Sequence, residues 1–395
     1  MTQWGRWMGV GALALGLAGT VQAQAVAVAP STTAQAVDAA AVARHYAVLV
    51  HATYEDTLGA ALSLQQRLLA LVAEPSAERL EAARQAWRDA REAYGQTEAF
   101  RFYGGPIDDD KGPEGRLNAW PLDESYIDYV KGKPGAGFIN NRRIVISKAG
   151  IAGLNERGGE ENISAGWHAI EFLLWGQDQR ADGAGQRSFE DYVDGKAPNA
   201  DRRRQALTVI TELLVDDLRS LVRAWQPGAP YRSRFEAGAQ ESVRKIIVGL
   251  GSLSRGELAG ERMEVALNTQ DQEDEHSCFS DNTHRDIVTN ALGIRNVWTG
   301  RYVRTNGSVI EGASLQALVA GRDAALAART GRQIEDSLAA AQAIQAPFDQ
   351  EILGGANAPG RQRVQATIQS LVQQSKDLVA AAQALGITRL TLVKP

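Results

Sequence analysis

Apolar residues recur every three or four positions through most of this chain, the spacing of helices with one buried face. Strand-like alternation is confined to brief runs near Ile144–Ile146 and Leu390–Val393. From Asp38 to Ala73 the pattern predicts a long helix with Tyr46, Val50, Tyr54, Leu58, Leu62 and Leu69 turned inward. Glu74-Pro75-Ser76 ends it, with Ser76 as N-cap of a second helix that runs to about Phe102 and buries Leu80, Ala83, Trp87, Ala90 and Tyr94. Residues 104–160 are dense in Gly, Pro and Asp and read as a long irregular insertion holding a short helix near Leu122–Val130. A short apolar helix starting at Gly166 follows, then a periodic helix from about Arg202 to Trp225. Beyond Gln226-Pro227-Gly228-Ala229-Pro230, helices are predicted near 231–249, 252–270, 283–292, 314–328, 332–347 and 361–385, with Gly331 and Gly354-Gly355 as breaks. The fold class is all-α, in two packed bundles at 38–226 and 231–395.

The ends and the composition place the chain. Arg6, the apolar run Met8–Gly19 and the small residues before Ala23 read as a signal peptide over 1–23, with 24–37 a flexible leader. The mature chain is therefore expected in the periplasm, with no transmembrane segment, either free or associated with the outer membrane. Cys278 is the single cysteine, so no disulfide forms within the chain. The net charge of -5 lends no support to nucleic-acid binding.

The chemistry concentrates in three places. His168 and Glu171 stand three apart on one helix, so both can face one small target such as a metal ion. The plain alternative is a buried histidine bonded to a carboxylate of its own helix. At the end of the second predicted helix, Glu98 and Arg101 share a face, and Trp120 and Asp123 follow in the insertion. The run from Glu273 to Asp286 holds His276, Ser277, Cys278 and His284 among carboxylates, a ligand set for a divalent cation or else a solvated face in which Asp281 or Asn282 caps the next helix. His45 and His51 are six apart, on different faces of the first helix, and read as structural. Phe172 stands where a helical zinc peptidase would carry its second histidine, and no phosphate-binding glycine loop or serine-nucleophile elbow is present.

Gly166-x-His168-x-x-Glu171, with Thr97–Phe102, Gly105–Asp108, Asn118–Pro121 and Gln272–Ser277, resembles the imelysin family, which includes the insulin-cleaving membrane protease and the iron-regulated proteins. The segments look most like the iron-regulated branch. The resemblance implies two four-helix-type bundles with a functional site between them, lined by His168 and Glu171. It is a resemblance to proteins classed as metallopeptidases, although the second zinc histidine is missing here.

Three functions follow. The first is a periplasmic metal-binding protein linked to iron uptake, with His168, Glu171, Glu98, Glu273 and His276 as ligands. Gly166, Arg101, Trp120, Asp123, Ser277 and His284 are expected to line that site. Oxygen-rich sites with imidazole suit iron in either oxidation state and also zinc, and iron is the first expectation. The second is a metallopeptidase using Glu171, and the third a non-catalytic module that holds a peptide or another envelope or iron-transport protein. No catalytic residue is assigned on the first reading.

Overall fold

A computed structural model describes residues 37–392, all within one compact unit. The expected signal peptide and nearly all of the leader lie outside the described residues. Helices of eight residues or more are numbered here: α1 (Ala39–Ala73), α2 (Ala77–Tyr94), α3 (Gly166–Trp175), α4 (Ala200–Trp225), α5 (Pro230–Ala237), α6 (Gln240–Ser252), α7 (Thr283–Thr299), α8 (Ala324–Ala343) and α9 (Pro359–Ala384). Among the described residues, no helix is long and apolar enough to cross a membrane.

The first hairpin follows local chemistry. Asp38 caps α1 by accepting the Ala41 N–H at 2.7 Å, and Ser76 caps α2 by accepting that of Arg79 at 3.2 Å. On α2 the five expected residues are all buried, because their 3,4,3,4 spacing tracks the helical period. On α1 the expectation drifts. Tyr46, Val50 and Tyr54 are buried, but Leu58 and Leu62 are half-buried and Leu69 is exposed, while Ala61, Leu64, Leu68 and Leu71 carry the core. Repeated steps of four residues rotate steadily around a helix of 3.6 residues per turn, so a stripe drawn at that spacing leaves the inward face.

α1 packs against α2 and α4, and also against α5 and α6 from beyond the Gln226–Pro230 stretch. The expected single helix at 231–249 is broken into α5 and α6 at Gly238-Ala239. α6 continues into a π-helical segment, Leu253–Glu264, then Val265–Thr269. The strands fall elsewhere than expected: Arg301–Val303 pairs antiparallel with Val309–Glu311, and neither 144–146 nor 390–392 forms one. Gly331 does not break a helix but lies inside α8, facing Trp298 of α7, whose Nε1 a Cβ would meet at the ordinary contact distance of 3.4 Å.

Candidate functional site

All ten residues of α3 are buried. The helix begins at Gly166 with φ +87°, and a Cβ there would sit 2.5 Å from the Leu117 carbonyl oxygen. A positive φ and this close approach of backbone both demand glycine, which explains the first residue of the motif.

His168 Nδ1 lies 2.8 Å from Glu171 Oε2. The other carboxylate oxygen, Oε1, accepts from the Ser280 N–H at 3.0 Å and from the Ser280 hydroxyl at 2.6 Å. His168 Nε2 is buried and has no partner. Burial lowers the proton affinity of His168, with Arg91 adding to it, so the ring is neutral. Burial also pushes Glu171 up to about 8, against the opposing pull of the Ser280 hydrogen bonds.

A second imidazole completes the pocket. The rings of His168 and His276 lie 4.7 Å apart, edge to face. His276 repeats the arrangement of His168, with Nδ1 3.0 Å from Asp286 Oδ2, while its Nε2 lies 3.5 Å from the Asn118 amide nitrogen. Burial, reinforced by Arg262, pushes His276 down to about 3. Ser277 also donates to Asp286. Asn282 takes the N-cap position of α7 but makes no side-chain cap, and its amide donates to Asp286 Oδ1 at 3.3 Å instead.

Behind the two rings runs a network of buried charge. Arg91, on the inward face of α2, contacts Asp286 at 3.1 Å and donates to the Asn118 side-chain oxygen Oδ1 at 2.6 Å. Asn118 donates at 3.4 Å to Glu98, whose other oxygen accepts from Arg101 at 2.6 Å and Arg262 at 2.7 Å. Burial works to raise Glu98, and the two guanidiniums overrule it, holding it at about 2. Asp286 is likewise held far below the carboxylate range, Arg91 and His276 outweighing its burial. Glu257 bonds Arg262 at 2.9 Å, and Glu114 bonds Arg101 at 2.9 Å. In the π-helical segment an i→i+5 pattern brings residues five apart onto one face, and Glu257 and Arg262 are such a pair. The network thus sets four carboxylates (Glu98, Glu114, Glu257 and Asp286) against three arginines. A cleft of about 230 Å3 reaches His276, lined among others by Trp120, Asn118, Arg101 and Glu160.

Of the residues expected at the site, Gly166, His168, Glu171, Glu98, Arg101, His276 and Ser277 fall within this network, and Trp120 lies against His276 with ring centroids 5.7 Å apart. The others sit in different surroundings. Glu273 is exposed, and its charged neighbours Glu124, Asp271 and Asp178 belong to another group of residues. Asp123 caps a short helix by accepting the Ser125 N–H, and His284 contacts the Asp281 carbonyl at 3.1 Å. Cys278 is buried and its thiol is pushed up by that burial, which makes it inert. His45 is structural, its Nε2 2.7 Å from the Gly300 carbonyl.

Sequence reasoning gave no role to Arg91, Glu257 or Arg262, and reached Asn118, Ser280 and Asp286 only as members of longer segments. Of the first three, Arg91 alone carried a readable signal: it falls between Trp87 and Tyr94 on the buried face of α2, where an unpaired arginine would be intolerable.

The architecture is that of an all-helical protein with a paired-histidine pocket fed by a GxHxxE helix. The chain belongs to the imelysin family, whose model (the M75 peptidases) matches residues 50–378. It is 28% identical over 309 residues to iron-regulated protein A of Synechococcus elongatus, covering 75% of this chain and 73% of that protein. Its fold is similar to that of an iron-regulated protein A precursor from Parabacteroides distasonis, with TM-score 0.68, 19% identity, and 88% and 94% of the two chains covered. An imelysin-like protein from Psychrobacter arcticum gives TM-score 0.59 at 14% identity, over 91% and 99%.

Proposed function

We propose that this chain is an exported, periplasmic metal-binding protein linked to iron uptake, with iron as its first ligand and zinc as the competitor. The observation that carries the reading is the pair of buried imidazoles, each with Nδ1 against a carboxylate and with His168 Nε2 left without a partner. Histidines that ligate metals are characteristically oriented this way, one ring nitrogen held by a carboxylate and the other free for the ion. His168 would hold the metal through its free Nε2, and His276 through an Nε2 that must give up its 3.5 Å contact with the Asn118 amide, with Glu171 and Asp286 as the orienting groups. Glu98 supplies negative charge to the pocket rather than a free ligand atom, since Asn118, Arg101 and Arg262 occupy both its oxygens. Among the described residues, no three His, Cys, Asp or Glu side chains come together as a ready cage. The donor set therefore fits a half-site, in which two imidazoles bind and water or ligands carried by the metal fill the remaining positions. Bound there, the metal would be cargo.

The pocket draws on residues from both sides of the 226–231 stretch, which supports a site between two bundles at 38–226 and 231–395. A hydrolytic reading requires a carboxylate free to act on bound water, and the two Glu171 oxygens are already engaged by His168 and Ser280. We therefore favour binding over catalysis.

Calorimetry with Fe(II) under anaerobic conditions, and with Zn(II), tests the reading. Wild type should bind about one equivalent, and His168→Ala or His276→Ala should each weaken binding about tenfold or more. No uptake by wild type, or equal uptake by the double variant, removes the metal site. Whole-cell fractionation tests the location, and retention in the cytosol would refute export.

A further inference from the structure

A second cleft, of about 370 Å3, opens beside the C-terminal end of α3 and takes no part in the pocket described above. Tyr129, Lys131, Trp175, Gly176, Arg180 and Arg187 line it. The Arg187 side chain is only 1% exposed. Its Nη1 makes both of its carboxylate contacts, 2.8 Å to Asp128 and 2.9 Å to Asp191. Its Nε is equally buried and has no partner. The rings of Tyr129 and Phe172 stand over the guanidinium at 5.1 and 5.2 Å, so the plane is fixed.

Gly176 packs against this arginine. Gly176 has φ +70°, and a Cβ there would lie 3.6 Å from Arg187 Nε and 3.3 Å from Arg187 Cβ. A buried N–H without an acceptor is disfavoured unless something else answers it. The Nε edge of a guanidinium is one of the edges that grip a planar carboxylate with two parallel hydrogen bonds.

Charge narrows the class of ligand. Arg187 shares Asp128 with Arg203, so two arginines face two carboxylates, Asp128 and Asp191, and balance. Arg180 is bonded to Asp182 at 2.9 Å. Lys131 remains as the exposed cation on the cleft wall. One uncompensated positive charge suits a monoanion better than a dianion.

We propose that this cleft binds a carboxylate group, received by the Nε edge of Arg187, with Lys131 supplying the further charge and Arg180 and Gln186 polar contacts at the rim. Such a group comes either from a small organic acid or from the free C-terminus of a peptide. The cleft is independent of the histidine pocket, so binding here does not require the metal.

Calorimetry on the metal-free mature chain, titrated with acetate, with a tripeptide bearing a free or an amidated C-terminus, and with inorganic phosphate, tests the proposal. The free-acid tripeptide or acetate should bind, the amide should not, and phosphate should be weaker. Whichever carboxylate binds tighter identifies the source. Arg187→Lys keeps the charge and removes the fork, and should weaken binding about tenfold. Should that variant fail to fold, Lys131→Ala combined with Arg180→Ala alters only exposed side chains and should produce a loss of the same order. No heat with any carboxylate up to on the order of 10 mM overturns the proposal. So does binding unchanged in the folded variants, or phosphate binding tighter than carboxylate.

Discussion

Two groups of carboxylates meet the segment from Glu275 to Asp286, and their proton affinities move in opposite directions. Glu98 and Asp286 face arginines and are held low, Glu98 at about 2, although both are fully buried. Asp178, Glu275, Asp281 and Asp349 face one another, and burial followed by mutual repulsion pushes Asp281 up to about 7. Asp178 reaches about 6, chiefly through burial. Both groups are carboxylates, and Glu275 is as buried as Glu98 and Asp286, while Asp281 is half-buried. The supply of guanidinium differs sharply: Arg91, Arg101 and Arg262 all point into the histidine pocket, while among the described residues it is the exposed Arg180 that draws Asp178 and Asp281 down. The pocket can therefore keep Glu98 and Asp286 ionised while burial keeps its imidazoles neutral, the state in which histidine binds metal, and Glu171, which no arginine bonds among the described residues, is pushed the other way.

The largest test of this contrast removes an arginine. Arg91→Met should destabilise the fold by about 3–5 kcal/mol, because Asp286 is left as a buried charge without its principal counter-ion. Urea denaturation followed by circular dichroism measures it, and a cost under about 1 kcal/mol would break the comparison.

A smaller effect is expected at Ser280, which touches the pocket through Glu171 and precedes Asp281 in the chain. Ser280→Ala removes one hydroxyl donor from a buried carboxylate and should cost about 1–2 kcal/mol by the same assay. A neutral result would mean that water replaces the hydroxyl.

The smallest effect concerns the acidic group. The folded chain holds protons on Asp178 and Asp281 at pH values where the unfolded chain has released them. Their contribution is therefore most favourable below the unfolded carboxylate range, near pH 4, and is lost as pH rises through about 6 to 7. Thermal unfolding should accordingly give a higher Tm at pH 5 than at pH 8. Asp178→Asn combined with Asp281→Asn should flatten that slope and add about 1 kcal/mol at pH 8. Asparagine also tolerates the left-handed backbone of Asp281, at φ +57°. An unchanged slope in the double variant would assign the pH dependence elsewhere.

Much of the fold is readable along the chain because helices are local. The α2 face, the Ser76 cap and the helix from Gly166 all follow from spacing and capping within a few residues. Errors arose where a distant partner overrides local preference. Gly331 looks like a break until Trp298 of α7 is packed against it, and the stripe on α1 could be oriented only once its neighbours were placed. The candidate site divides the same way. His168 and Glu171 announce themselves by their spacing, and Gly166 by the motif. That His276 is the second imidazole, and that Arg91 and Arg262 reach the carboxylates around it, depends on contacts across the whole chain.

The sequence by itself determined the helical class, the caps and the paired residues of the GxHxxE helix, since each depends on hydrogen bonds and faces repeating every few positions. Only the tertiary structure decided what Glu171 does. It receives Ser280 from 109 residues away and holds His168 in place. The same holds for which carboxylates keep their charge. Burial and counter-charge are properties of packing, and residues far apart in the chain supply both.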